Sequence, residues 1–167
     1  MVATRFVDLS QRGVRLAYAM DGPEDAPVVV FAHGFAAFKE IWRYQVSVVA
    51  SRFRVLCYDH RGHGESSDGA AECSIRDLSE DLLALLDALG LDRVCLVGHS
   101  MGGRTLFQFA LDHQDRLWGA VAVDAQSEAP QPAFAGELRL NRDLIARGDL
   151  EGFYRAAVPQ GQVPLRL

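Results

Sequence analysis

Val94-Cys95-Leu96-Val97-Gly98-His99-Ser100-Met101-Gly102-Gly103 is the stretch on which the reading of this chain turns. Val94 to Val97 is an apolar run of strand length. Leu106, Phe107, Phe109 and Ala110 follow the glycines at helical spacing. Gly-x-Ser-x-Gly between a strand and a helix is the pattern of a sharp bend that presents a serine hydroxyl as a nucleophile. The spacing has a steric reason, because side chains two residues either side of Ser100 would collide across the bend. Gly98 and Gly102 remove them and accept backbone geometry closed to other residues. Such a bend lifts the hydroxyl above the sheet edge, while the next helix aims its free N–H groups at the same place. The plainer reading of the same residues is a glycine-rich turn carrying an incidental serine.

Working outward, Phe6–Leu9 and Val14–Ala19 are expected to be strands joined by a turn at Gln11-Arg12-Gly13, the second a half-exposed antiparallel edge. Val28–Ala32 is uniformly apolar, as a fully buried strand would be. Phe38–Ala50 reads most simply as a helix, with the aromatic residues around position 40 in the core, and Phe53–Tyr58 as a strand. Ser74 with Asp77 three residues later is a capping box that opens a helix. Leu78, Leu82, Leu85, Leu86 and Leu89 form its apolar stripe, and Gly90 ends it. The helix after Ser100 is expected to run to about His113, and Leu117–Val123 to form a sixth strand ending at Asp124. Alternating strands and helices predict a mostly parallel, doubly wound α/β sheet. Active residues then gather beyond the C-terminal ends of the strands. His33-Gly34-Phe35, Asp59–Ser66, Ser100 and Asp124 all fall there.

The totals bound the function. The chain has 167 residues, 49% of them hydrophobic and 23% charged, with a net charge of -5. Basic residues are scattered, so no face is built for phosphates and nucleic acid is not an expected partner. No run approaches the ~20 apolar residues of a membrane span, and the first residues lack signal-peptide design. A cytoplasmic setting is the expectation. Cys57 and Cys95 sit in apolar runs as buried thiols would, and Cys73 stands apart.

Three motifs, His33-Gly34-Phe35, Tyr58-Asp59-His60-Arg61-Gly62-His63-Gly64-Glu65-Ser66 and Gly98-His99-Ser100-Met101-Gly102-Gly103, resemble in order and spacing those of the α/β-hydrolase family, in its small-molecule serine-hydrolase branch with a helical cap. The resemblance covers roughly residues 5–124. It implies an α/β-hydrolase core of six strands over 1–124, the N-terminal portion of that fold. The start of a helical cap and an unpatterned tail would occupy 125–167. It implies Ser100 as nucleophile on a carboxylic ester or related acyl compound. The backbone N–H groups of Phe35 and Met101 would form the oxyanion hole, with His33, Gly34, Gly98, His99 and Gly102 supporting that loop and the bend. A serine at the bend, where epoxide hydrolases and haloalkane dehalogenases carry a carboxylate, points to acyl transfer without a cofactor. His60 and His63 beside Asp59 raise the thought of a metal, but their arginine- and glycine-rich setting resembles the family's structural loop, in which Arg61 pins the chain. No metal is expected.

The order in this fold is serine, acid, histidine. A minority of the family places the acid just after the sixth strand, where Asp124 stands; its other reading is a loop-capping aspartate. The last histidine is His113, on or at the end of the helix after Ser100, so the catalytic histidine is missing from the pattern. Two expectations follow. One is a hydrolase acting through Ser100 with impaired turnover, truncated at its C-terminus. The other is a non-catalytic remnant that binds or self-associates through the exposed edge of the last strand.

Overall fold

A computed structural model of the chain describes residues 3–69 and 73–126, in which six strands form one sheet. In chain order they are β1 (Arg5–Leu9), β2 (Val14–Asp21), β3 (Val28–Ala32), β4 (Arg54–Tyr58), β5 (Val94–His99) and β6 (Leu117–Val123). The helices are α1 (Arg43–Val49), α2 (Ile75–Ala88) and α3 (Met101–Asp112). The spatial order is β1-β2-β4-β3-β5-β6. β4, β3, β5 and β6 run parallel, and β1 and β2 are antiparallel additions at one side. The segments that follow the four parallel strands therefore meet at one rim, as the alternation of elements predicts. Within the sheet, each of the six expected strands is present.

Period-two burial divides the core into two layers. Val28, Val30, Leu56, Tyr58, Val94 and Leu96 pack against Leu82, Leu85 and Leu86 of α2 and Leu106 and Phe109 of α3. Val29, Phe31, Val55 and Cys57 face the other way, against Trp42 and Val46. Ser74 and Asp77 make both halves of the capping box. Gly90 closes α2 at φ +66°, a left-handed conformation that costs glycine little.

Two expectations are corrected. β2 is not a half-exposed edge: it lies between β1 and β4, and Leu16, Ala17, Tyr18 and Ala19 are all buried. β1 takes the edge instead, so apolar residues in adjacent positions of β2 are buried on both faces. The helix expected over Phe38–Ala50 is shorter. Phe38 is extended at φ -149°, and Lys39–Trp42 forms a 3₁₀ turn before α1 begins at Arg43. At this turn the Lys39 backbone N–H donates to the Asp59 carboxylate at 2.6 Å.

Among the described residues β6 pairs only with β5. Its register slips between Val94 and Cys95, so that Leu117 and Gly119 face successive β5 residues and Trp118 is the extra residue of a bulge. The Trp118 ring stacks on Phe53. All three cysteines are free: Cys57 buried, Cys95 half-buried, Cys73 exposed. Among the described residues no helix is long and apolar enough to cross a membrane. The expected cap and tail, apart from Ala125 and Gln126, lie outside the described residues.

Candidate active site

The bend after β5 is tight. Ser100 has φ +50° and ψ -111°, backbone that a residue with a Cβ rarely adopts. Its neighbours are glycines for reasons of space. A Cβ on Gly98 would lie 2.3 Å from the Gly102 carbonyl oxygen, and one on Gly102 would lie 2.3 Å from that of Ala32. Neither glycine has positive φ, so the expectation that they serve unusual dihedrals is corrected. The strain resides on the serine, and the glycines admit the close approach of β5, α3 and the chain leaving β3.

The loop after β3 lies against this bend. A Cβ on Gly34 would be 2.9 Å from Nδ1 of His99 and 3.3 Å from Cβ of Ser100. The His99 ring thus packs over Gly34. Phe35 follows at once, about half exposed, with its ring edge-on to His63 at 5.7 Å. Met101 is the first residue of α3. Within the described residues the backbone N–H groups of Phe35 and Met101 donate no hydrogen bond. The first turn of a helix leaves such donors free to hold negative charge.

His33 is fully buried. Its Nε2 accepts from the His60 backbone N–H at 3.1 Å. Its Nδ1 is 2.7 Å from the Gly34 carbonyl, which can only accept. These contacts together select the neutral ring with hydrogen on Nδ1. Burial pushes the His33 pKa down to about 4, His63 nearby adding to the effect. Burial likewise holds His60 well below the usual histidine range. Because His33 holds the Gly34 carbonyl, it fixes the Gly34–Phe35 peptide plane, and with it the direction of the Phe35 N–H.

Asp124 follows β6 directly. Its φ is +45°, and its side chain is exposed. The Ser100 backbone N–H donates to Val123, one residue earlier, at 3.0 Å. The non-glycine residues with positive φ among those described are Ala36, Ser100 and Asp124. Each follows a different parallel strand at the same rim, where backbone strain tends to gather in functional sites.

The loop after β4 holds what the sequence reading undervalued. Asp59 is fully buried, and both its oxygens accept: one from the Lys39 N–H, the other from Nζ of Lys39 at 3.0 Å and the Glu65 N–H at 3.0 Å. Lys39 is buried too, and its ammonium also contacts Glu40 and Glu65. The signal in the sequence was its position, three and seven residues before the buried Trp42 and Val46. Phe38, expected in the core, is about half exposed just before Lys39 in the loop after β3. Arg61 does pin its loop, through a bidentate pair with the buried Asp81 of α2. Among the described residues no group of histidine, cysteine and carboxylate side chains could hold a metal ion.

Comparison with known proteins agrees with this fold. Residues 27–165 match the family model described as alpha/beta hydrolase fold. A 3-oxoadipate enol-lactonase of Acinetobacter baylyi is 32% identical over 119 residues, which are 71% of this chain and 44% of that protein. Epoxide hydrolase A of Mycobacterium tuberculosis is 38% identical over 122 residues, 71% of this chain and 37% of that protein. The solved structure of a thermophilic esterase from Thermogutta terrifontis superposes with a TM-score of 0.78 at 28% identity, covering 88% of this chain and 55% of that one. The chain thus spans less than half the length of the two curated relatives.

Proposed function

The chain belongs to the α/β-hydrolase fold family, and on that premise we propose that it carries the nucleophile and oxyanion side of a serine hydrolase of carboxylic esters or related acyl compounds. The observation that carries this reading is the strained Ser100 at the junction of β5 and α3, with the Gly34–Phe35 arm packed on it. In the reaction Ser100 Oγ bonds to the acyl carbon, the carbonyl π-electrons move to oxygen, and the Phe35 and Met101 N–H groups receive the oxyanion. Each such donor contributes about 3 kcal/mol in related chemistry. The alcohol then leaves, and water releases the acid. A serine at the bend favours acyl transfer over the epoxide opening named for one relative.

In this reading none of the five histidines is assigned the serine proton. His33 and His60 are buried and neutral, His63 is bonded to the Arg61 carbonyl, and the His99 ring covers Gly34. His113 contacts Glu80 beyond the far end of α3, about 18 Å along a twelve-residue helix. Where water takes the serine proton in place of a histidine, turnover falls several orders of magnitude below that of a complete triad. Asp124 is the candidate acid, its carboxylate acting here on the proton-accepting water in place of a histidine. Hydrolysis of a 4-nitrophenyl acetate solution tests the reading. A slow rate that Ser100→Ala abolishes supports it, and equal rates in the two chains contradict it.

The second reading, a non-catalytic module that self-associates, is favoured by β6. Among the described residues this strand pairs only with β5, contains no charged residue and exposes Trp118, Val121 and Val123. Edges of that kind pair with other chains.

A further inference from the structure

Lys39 is a buried cation among three carboxylates, of Glu40, Asp59 and Glu65. Burial alone would lower its pKa, but the hydrogen bonds to Glu65, Glu40 and Asp59 outweigh that and raise it. The ammonium is therefore permanent. Its partner Asp59 lies 4.0 Å from Nε2 of His33, with both groups fully buried. A carboxylate that close to an imidazole ordinarily draws a proton onto the ring. Here the ring nitrogen facing Asp59 is unprotonated, since it accepts from the His60 N–H. The Asp59 oxygens are occupied by Lys39 and by the Glu65 N–H instead.

We propose that Lys39 is a positioning residue: its ammonium, fastened to Asp59, stops that carboxylate from drawing a solvent proton onto Nε2 of His33 and so preserves the hydrogen bond from the His60 N–H to that nitrogen, by which the loop after β4 holds the His33 ring beside Gly34. Without the cation, Asp59 is a buried carboxylate held only by the Lys39 and Glu65 backbone N–H groups, and a solvent proton on Nε2 is the nearest remedy. The new N–H would point at Asp59 and displace the His60 N–H. The loop after β4 would lose its hold on the loop after β3. The other groups facing His33 do not take over the task. The rings of His60 and His63 lie 4.8 and 5.2 Å away, and a positive charge on either disfavours one on His33. Glu40 draws a proton in the same direction as Asp59. The consequence for the Phe35 N–H rests on the oxyanion reading above, whereas the protonation of His33 does not.

The test is imidazole ¹H–¹⁵N NMR of the full 167-residue chain, native and Lys39→Met, titrated from pH 8 to pH 5. The native His33 should remain neutral with hydrogen on Nδ1. In Lys39→Met its titration midpoint should rise by at least one pH unit, a tenfold gain in proton affinity, and Nε2 should become protonated. Lys39→Arg, and Lys39→Met combined with Asp59→Asn, should restore the native pattern. A merely structural lysine would leave the His33 spectrum unmoved in any folded variant, and that result overturns the proposal. If Lys39→Met does not fold, Asp59→Asn alone decides. His33 should stay neutral to the same or a lower pH, and a raised midpoint overturns the proposal. Absence of ester hydrolysis would count against the catalytic reading and would leave this measurement intact.

Discussion

The Ser100 backbone N–H and the Val123 carbonyl are 3.0 Å apart, so the bend after β5 and the end of β6 are joined in one corner. Asp124 leaves that corner in the left-handed region. Asp124→Asn keeps a residue that tolerates this backbone and removes only the charge. It should leave the urea midpoint unchanged and lower Ser100-dependent hydrolysis. Asp124→Gly should lower hydrolysis as well while raising stability by up to about 1 kcal/mol, because glycine carries no Cβ penalty there. Unchanged hydrolysis in both variants would remove Asp124 from the site.

The glycines of the bend and those of ordinary turns should respond differently to alanine. In Gly102→Ala the new Cβ meets backbone carbonyls of Ala32 and His33 that cannot step aside. A loss of about 3 kcal/mol is expected. Gly90 has open space around it and only its φ of +66° to object, so Gly90→Ala should cost about 1 kcal/mol. Urea unfolding of the two variants measures the gap, and equal losses would contradict the close packing of α3 on the loop after β3.

Stability should fall in mild acid. His33 has a folded pKa of about 4 against an ordinary 6.5, so between those values the unfolded chain binds the extra proton. The stabilisation is complete above pH 6.5 and is lost progressively as the pH drops toward 4, on the order of 3 kcal/mol for this one group. His60, lowered for the same reason, acts in the same direction. Urea midpoints at pH 7.5 and pH 4.5 check the sign. A chain equally stable at both would contradict the burial of these rings as neutral groups.

Asp81 receives Arg61 at both oxygens and Arg12 at 3.0 Å. Asp81→Ala leaves the Arg61 guanidinium buried without a partner and should cost about 3–5 kcal/mol. Loss of the loop after β4 should accompany it, visible as fast amide exchange over residues 61–69. A cost below 1 kcal/mol would show that this pair does not hold the loop.

If β6 is a pairing edge, sedimentation velocity should show a dimer that grows with concentration. Val121→Lys places a charge on the exposed edge strand and should return the chain to a monomer. A native chain that sediments as a monomer throughout the micromolar range would contradict the self-association reading.

The strands and the rim were legible in the sequence because both are written in short-range patterns. Val28–Ala32 is apolar without interruption, the β5 run ends at Gly98, and the capping box at Ser74 stands three residues before its partner. What escaped depends on contacts between distant residues. β2 reads as an edge until β1 is seen to lie outside it. Phe38–Ala50 reads as one helix, whereas Phe38 is extended and Lys39–Trp42 is a 3₁₀ turn set against Asp59, twenty residues on. Gly98 and Gly102 were read correctly as necessary but for a partly mistaken reason. Local sequence does not distinguish a glycine needed for its dihedrals from one needed for the space it leaves, and the positive φ fell on Ser100 itself.

Peptide mapping by mass spectrometry after prolonged exposure of the chain to a fluorophosphonate at pH 8.5 tests the central claim most directly. The account predicts slow labelling of Ser100, abolished in Ser100→Ala and weakened in Gly34→Ala, whose added methyl presses on the bend. An unmodified Ser100 after exhaustive exposure, or an adduct on another residue alone, would contradict it.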